Sequence, residues 1–325
     1  MHKLLVNQCT IELSLIARGP ILIKSGSQGA DPTKPDMEFV ETFHNGKKAI
    51  YLPGSSLKGA IRAHAERIVR TVGSEQPSTT KVWANDPIRG NDNHLFDGSG
   101  QNRKKKPPAE LYKSSSFTEQ MFGNTSLSSR VRIEDAYPDK DIPLMIEERN
   151  SVAIDRVTGA TSGSGLFNYE VCTSGQFTTK IHLKNFSLAQ LGLLALVLRD
   201  LGEGWFGIGF GKSRGLGTMS IAYKSAIVRY PGCTINEENK IQTFAKNLPP
   251  WERTTLLGAG EFLGKNNLYG FPCPDQQPTP AVGAKPMPMN FGVQMQWLGN
   301  VQIEEDLFPK SVEQWRKRVC QESAT

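Results

Sequence analysis

The chain has 325 residues, of which 38% are hydrophobic and 22% charged, with a formal net charge of +6. That length and balance suit one large or two smaller globular domains with a full core, and exclude a fibrous or low-complexity chain. No apolar run is long enough to span a bilayer, and a sequence pI of about 9.0 favours polyanionic partners, nucleic acid above all.

The N-terminal stretch "MHKLLVNQCTIELSLIARG" is not a secretory signal, because Asn, Gln, Thr and Glu interrupt its apolar positions. The five cysteines, Cys9, Cys172, Cys233, Cys273 and Cys320, are scattered, with no CxxC and no zinc spacing. Free thiols in a reducing cytoplasm are expected.

Residues 3–23 read as strand, with alternation in "TIELSLI". Residues 24–48 are polar and turn-forming. "LKGAIRAHAERIVRTVG" carries Leu57, Ile61, Ala65, Ile68 and Val69 at helical spacing, with Ser55 or Ser56 as N-cap and Gly73 as the stop. Residues 74–120 are rich in Pro, Asn, Asp, Ser and Gly and read as a long irregular insertion, with a basic run at 103–106. "SRVRIEDAY" at 129–137 is strand-like. The segment around 147–175 reads as a hairpin arm. "SLAQLGLLALVLRDLG" predicts an apolar helix capped by Ser187 and closed by Gly202, and "LGTMSIAY" predicts a strand. Residues 224–325 carry many Pro and Gly, a short terminal helix pattern in "VEQWRKRVCQES", and Trp251, Trp297 and Trp315 for burial.

Strand, helix, strands, helix, strand over residues 1–223 is the order of an α+β, ferredoxin-like (RRM-like) split βαβ core. The expected organisation is a domain over 1–223, with an insertion at 74–120 and a hairpin within 147–175. A Pro/Gly-rich C-terminal extension over 224–325 follows.

"FGIGFGKSRGLG" at 206–217 contains the Gly-Lys-Ser that ends a phosphate-binding loop. The pattern needs glycine at 206, where Phe206 stands, and it needs a helix after the loop rather than before it. "GEGWFG" at 202–207 fails for the same reason of order. No nucleotide cofactor is therefore expected. A glycine turn, or a loop whose amides with Lys212 and Arg214 hold a nucleic-acid backbone, remain the two readings.

"YLPGSSLKGAIRAHAERIVR" at 51–70 and "GWFGIGFGKSRGLGTMSI" at 204–221 together resemble the RAMP superfamily. "FGNTSLSSRVRIEDAY" at 122–137 and "VAIDRVTGAT" at 152–161 are similar to the backbone subunits of type III CRISPR effectors of Csm/Cmr type. That resemblance implies a cytoplasmic subunit that lines up along a CRISPR RNA, beside neighbouring RAMP subunits and a large polymerase-like subunit. It also implies a thumb-like hairpin and, in some members, metal-dependent cleavage of the complementary target RNA, with Mg²⁺ or Mn²⁺ as the cation.

Carried onto this chain, the resemblance assigns RNA-backbone contacts to Ser55, Ser56 and Lys58, extended by Arg62 four residues on, and to Gly209, Gly211, Lys212, Ser213, Arg214 and Gly215. In the hairpin, Val152 and Ile154 would wedge between bases, while Arg149 and Arg156 would hold phosphates. Asp36, in the loop before the "PGSSLKG" helix, is the catalytic and metal-holding candidate, with Asp31 as competitor. His44 lies close in sequence but no motif supports it as a base. An architectural subunit without catalysis and a CRISPR-RNA processing nuclease are the alternatives.

Overall fold

A computed structural model describes residues 4–26, 35–86, 88, 93–97, 104–244, 248–263 and 267–321. Asp31 and Arg103 lie outside the described residues. Strand β1 (Gln8–Ala17) buries Cys9, Ile11, Leu13 and Leu15 on one face, as its alternation requires. Strands β2 (Glu41–His44) and β3 (Lys47–Ile50) form a hairpin in a region expected to be loop. Its turn residues Asn45 and Gly46 have φ of 52° and 76°. Positive φ at both positions is the turn that matches strand twist, and Asn-Gly is its sequence signature.

Helix α1 (Gly54–Val72) buries Leu57, Ile61, Ala65 and Val69. Its N-cap is Pro53, not a serine, and no side chain within the segment caps it. Asp135 does so from a distance, its Oδ1 accepting from the Gly54 amide at 2.7 Å. A Cβ at Gly54 would stand 2.3 Å from the Ile133 carbonyl, so the helix starts hard against the neighbouring strand.

The insertion is more ordered than its composition predicts. A two-residue ladder joins β4 (Phe96–Asp97) to β5 (Lys104–Lys105). Helices α2 (Pro108–Ser114) and α3 (Phe117–Phe122) follow, and Phe117, Met121 and Phe122 enter the main core. A capping box explains α3: Ser116 accepts from the Glu119 amide while Glu119 accepts from the Ser116 amide.

Strands β6 (Val131–Ile133) and β7 (Tyr137–Pro138) both pair β10 (Gln176–Lys184). Between them in sequence stands the long hairpin of β8 (Met145–Ile154) and β9 (Thr161–Ser174). Helix α4 (Leu188–Glu203) has a second capping box, Ser187 with Gln190. It ends at Gly204 in the left-handed region (φ 83°), two residues beyond the expected Gly202. Strand β11 (Met219–Tyr230) completes the core unit. The sheet runs β11-β1-β10-β6, all antiparallel, with α1 and α4 as the crossover helices. This is the ferredoxin-like α+β arrangement.

The last hundred residues are not an appendage. The expected boundary at 223 falls inside β11. Short ladders β12 (Cys233–Ile235) with β13 (Ile241–Thr243), and β14 (Thr255–Leu257) with β15 (Gln276–Pro278), lead to β16 (Lys285–Pro286) and β17 (Val293–Leu298). Strand β17 extends the core sheet along β11. After a single turn, α5 (Gly299–Gln302), helix α6 (Phe308–Gln321) packs on α4, where a Cβ at Gly192 would stand 2.2 Å from the Ser311 carbonyl. Trp251, Trp297 and Trp315 are all buried, and Trp315 lies 4.9 Å from the Phe117 ring of the insertion. The five cysteines are free, and burial pushes the Cys9 thiol up to about 12.

Asp275 is buried where the C-terminal segment meets α4. Its carboxylate accepts from the Leu188 and Gly260 amides at 3.0 and 3.1 Å. Burial nevertheless pushes the carboxyl up to about 7, with the nearby Glu261 adding to the rise. The unfolded chain loses this proton near pH ~4. Between there and about pH 7 the folded state binds the extra proton, so stability falls as pH rises through that window. The full swing is about 4 kcal/mol. Melting curves at pH 5 and pH 8 are expected to show a drop in Tm for the wild type and a smaller drop for Asp275→Asn. Equal slopes in the two proteins would remove Asp275 as the source.

Candidate nucleic-acid interface

The glycine run forms a loop folded back on the segment after β1. Phe210 donates to the Leu22 carbonyl at 2.8 Å, Ile208 to the Gly217 carbonyl at 3.0 Å and Gly217 to the Pro20 carbonyl at 2.9 Å. A Cβ would stand 2.3 Å from the Leu22 carbonyl at Gly209 and 2.0 Å from the Ile208 carbonyl at Gly217. These glycines let protein backbone approach protein backbone. The amides of Ile208, Phe210 and Gly217 are thus committed inside the protein. What it offers outward is one 3₁₀ turn, Lys212–Arg214, held between Gly211 and Gly215, both left-handed (φ 67° and 84°). Lys212, Ser213, Arg214 and Gly215 are exposed. The loop is anchored on α1, where Phe206 stacks on His64 at 4.2 Å and His64 meets Asp200 at 2.7 Å.

Arg214 is held by rings rather than by an acid. Its guanidinium lies 4.9 Å from the Phe210 ring centre and 5.9 Å from those of Phe167 and Tyr169. Such cation–π contacts orient the fork while leaving donors for a phosphate. Phe167 and Tyr169 belong to β9, so the arginine ties the glycine loop to the base of the long hairpin.

Asp36 meets the same strand. Its carboxylate Oδ2 accepts from the Asn168 amide at 3.0 Å, and the Asn168 side-chain oxygen accepts from the Asp36 amide at 2.8 Å. Asn168 Nδ2 donates in turn to Glu148 Oε1 at 2.7 Å. Two exposed carboxylates, Asp36 and Glu148, therefore flank one asparagine. Three consecutive residues of β9, Phe167 to Tyr169, join the two regions that the sequence singled out separately.

The hairpin is exposed along most of its length, with its turn at 155–160. Asp155 braces that turn, accepting from the Val157 and Thr158 amides and the Thr158 hydroxyl, and these bonds hold its carboxyl below the usual range. Val152 and Ile154 are exposed, as expected for a wedge, and Arg156 stands at the turn. Val157 and Leu166 also present apolar side chains, at 94% and 70% exposure, and sequence reasoning missed both. Arg149 pairs with Glu147 at 3.4 Å.

The α1 entry is a separate place. Ser55 and Ser56 are exposed there, and Lys58 is half-buried, with burial and then Arg62 lowering its pKa. Ser55 and Lys58 line a cavity of about 680 Å³ with Arg132, His182 and Lys184. Arg62 does not extend this site. It pairs with Glu66 at 2.8 Å and donates to the Gly123 carbonyl at 3.0 Å, which fastens α1 to the end of α3. Among the described histidines, His44 stacks on Tyr137, His64 bonds Asp200, His94 bonds Glu119 and His182 bonds Glu134.

Fold and surface define the class: a ferredoxin-like α+β protein with an exposed basic loop fastened to a long hairpin. The family model described as the RAMP superfamily matches residues 14–220, well over half of the chain. The protein belongs to the RAMP superfamily, which assigns it a CRISPR-associated, RNA-binding role. No curated protein matches the sequence. No helix among the described residues is long and apolar enough to cross a membrane.

Proposed function

We propose that the protein is a CRISPR-RNA-binding backbone subunit of a type III effector complex, seated between neighbouring RAMP subunits and near a large polymerase-like subunit, and that it cleaves complementary target RNA. The observation that carries this reading is the junction at Phe167–Tyr169, where Arg214 and Asp36 meet the hairpin. Phosphate contacts from Lys212 and Arg214 position a strand without reading its sequence, which suits a protein that accepts any guide. Apolar side chains on the hairpin suit insertion between stacked bases.

The Asp36 and Glu148 carboxylates are hard oxygen donors, and a hydrated Mg²⁺ or Mn²⁺ held by one or two carboxylates plus RNA phosphate suits them. Such a cation would stabilise the charge that develops at the scissile phosphate. The role of Asp36 is then to hold the cation's water shell, or to orient the attacking 2′-hydroxyl, with Asn168 fixing its carboxylate.

A purely architectural role is the second reading. It is favoured by the Asn168 amide already bonded to Asp36, and by the lack of any metal-sharing group of three His, Cys, Asp or Glu among the described residues. A processing nuclease with a histidine base draws no support from four histidines already engaged by protein partners.

The binding half of the proposal is tested by Lys212→Ala/Arg214→Ala. Guide RNA is expected to bind at least about tenfold more weakly whatever its sequence, with a slope of log affinity against log salt shallower by roughly two. Unchanged affinity and slope would take the glycine loop off the RNA path.

A further inference from the structure

A second basic pocket lies away from the hairpin, between the insertion, the start of α4 and the C-terminal segment. It encloses about 920 Å³. Lys81, Lys106, Lys113 and Arg318 line it, and no Asp or Glu is among its described lining residues. Lys81, Lys106 and Lys113 have no ion-pair partner among the described residues. The stem of Lys113 runs over Gly270, whose missing side chain leaves room for it, with Cε 3.4 Å from where a Cβ would be.

The walls carry a different chemistry. Tyr269 is half-buried at the rim, edge-on to the buried Tyr112 at 5.9 Å. Hydroxyl and amide side chains fill much of the remaining lining. His94 lies in the wall with its Nε2 held by the Glu119 carboxylate at 3.1 Å. Its Nδ1 is buried with no hydrogen-bond partner among the described residues.

We propose that this pocket binds a phosphate-bearing ribonucleotide. Uncompensated ammonium groups around a concave wall raise the local potential and recruit phosphate. The volume is that of a nucleotide-sized site. A tyrosine ring at the rim suits a base. The phosphate arrives either on an RNA strand or on a free nucleotide. No lining residue belongs to the glycine loop, the hairpin or the Asp36 segment, so the site stands apart from the proposed guide path.

Calorimetric titration of the full chain with adenosine triphosphate, a 5′-phosphorylated triribonucleotide and a hexaglutamate peptide tests this. At least one of the first two is expected to bind saturably at micromolar concentration. The exposed pair Lys81→Gln/Lys113→Gln should weaken that binding at least about tenfold with an unchanged melting curve, and Lys212→Ala/Arg214→Ala should leave it intact. Tighter binding of the triribonucleotide assigns an RNA strand as the source; tighter binding of the triphosphate assigns a free nucleotide. No saturable binding, unchanged affinity in the lysine variant, or equal binding of hexaglutamate would overturn the proposal. Loss of triribonucleotide binding in the Lys212/Arg214 variant alone would overturn the pocket while supporting the guide path.

Discussion

Target RNA paired to the guide is expected to stay intact opposite this subunit when Asp36 is replaced by alanine, while guide binding persists. The loss should be about 100- to 10,000-fold in cleavage rate, the range for removing a group that acts directly on the reacting atoms. Asp36 is exposed, so the change opens no cavity. The segment also keeps other ties to the hairpin: Met37 bridges Tyr169, the Glu170 amide donates to the Met37 carbonyl, and the Phe39 amide donates to Glu170. A lost rate with retained binding therefore reports on chemistry rather than folding. The assay is labelled target RNA in the assembled complex with Mg²⁺. Glu148→Ala should give a smaller loss, because Asn168 continues to hold Asp36. Unchanged cleavage in Asp36→Ala would exclude Asp36 from the reaction, and a wild-type complex that leaves the target whole at this position would establish the architectural reading.

Ending the chain at residue 223 is expected to abolish folding rather than trim an extension. The cut removes seven residues of β11 and all of β17, which shields the far side of that strand. It strips Val293, Met295, Trp297, Leu307, Phe308 and Trp315 from the core, each buried at 7% exposure or less. A single buried Trp reduced to alanine costs about 3–5 kcal/mol, and a domain's whole stability is about 5–15 kcal/mol. The truncated chain should appear in inclusion bodies or show no cooperative melting transition. Trp297→Ala in the full chain is the milder form, expected to lower Tm because the indole is fully buried and donates to Asp306 at 2.8 Å. A soluble, cooperatively melting 1–223 fragment would show that the last hundred residues are dispensable.

The parts legible in the sequence were those set by local periodicity and capping. Alternation in "TIELSLI", the apolar period of α1 and α4, and Ser187 before an apolar run each depend on neighbours within four residues. The insertion was misread although Ser116 and Glu119 carried the same capping signal, because Pro, Asn and Gly dominate the averages around it. The Asn45-Gly46 hairpin was likewise hidden in a polar stretch.

The order of elements pointed to the ferredoxin-like core, and the resemblance carried by "PGSSLKG" and the glycine run pointed to the superfamily. Tertiary structure decided what those motifs do. Asp135 caps α1 from 81 residues away, so the serines stay free of that duty. Arg62 turns inward to Glu66 and Gly123, and the loop glycines serve backbone approach to Leu22 and Ile208. Arg214 and Asp36 come together only because β9 passes between them. Contacts such as Asp135 with Gly54 and Asp36 with Asn168 join residues 81 and 132 positions apart, and no pattern within a short window carries them; they exist once the sheet has closed and brought the strands into register.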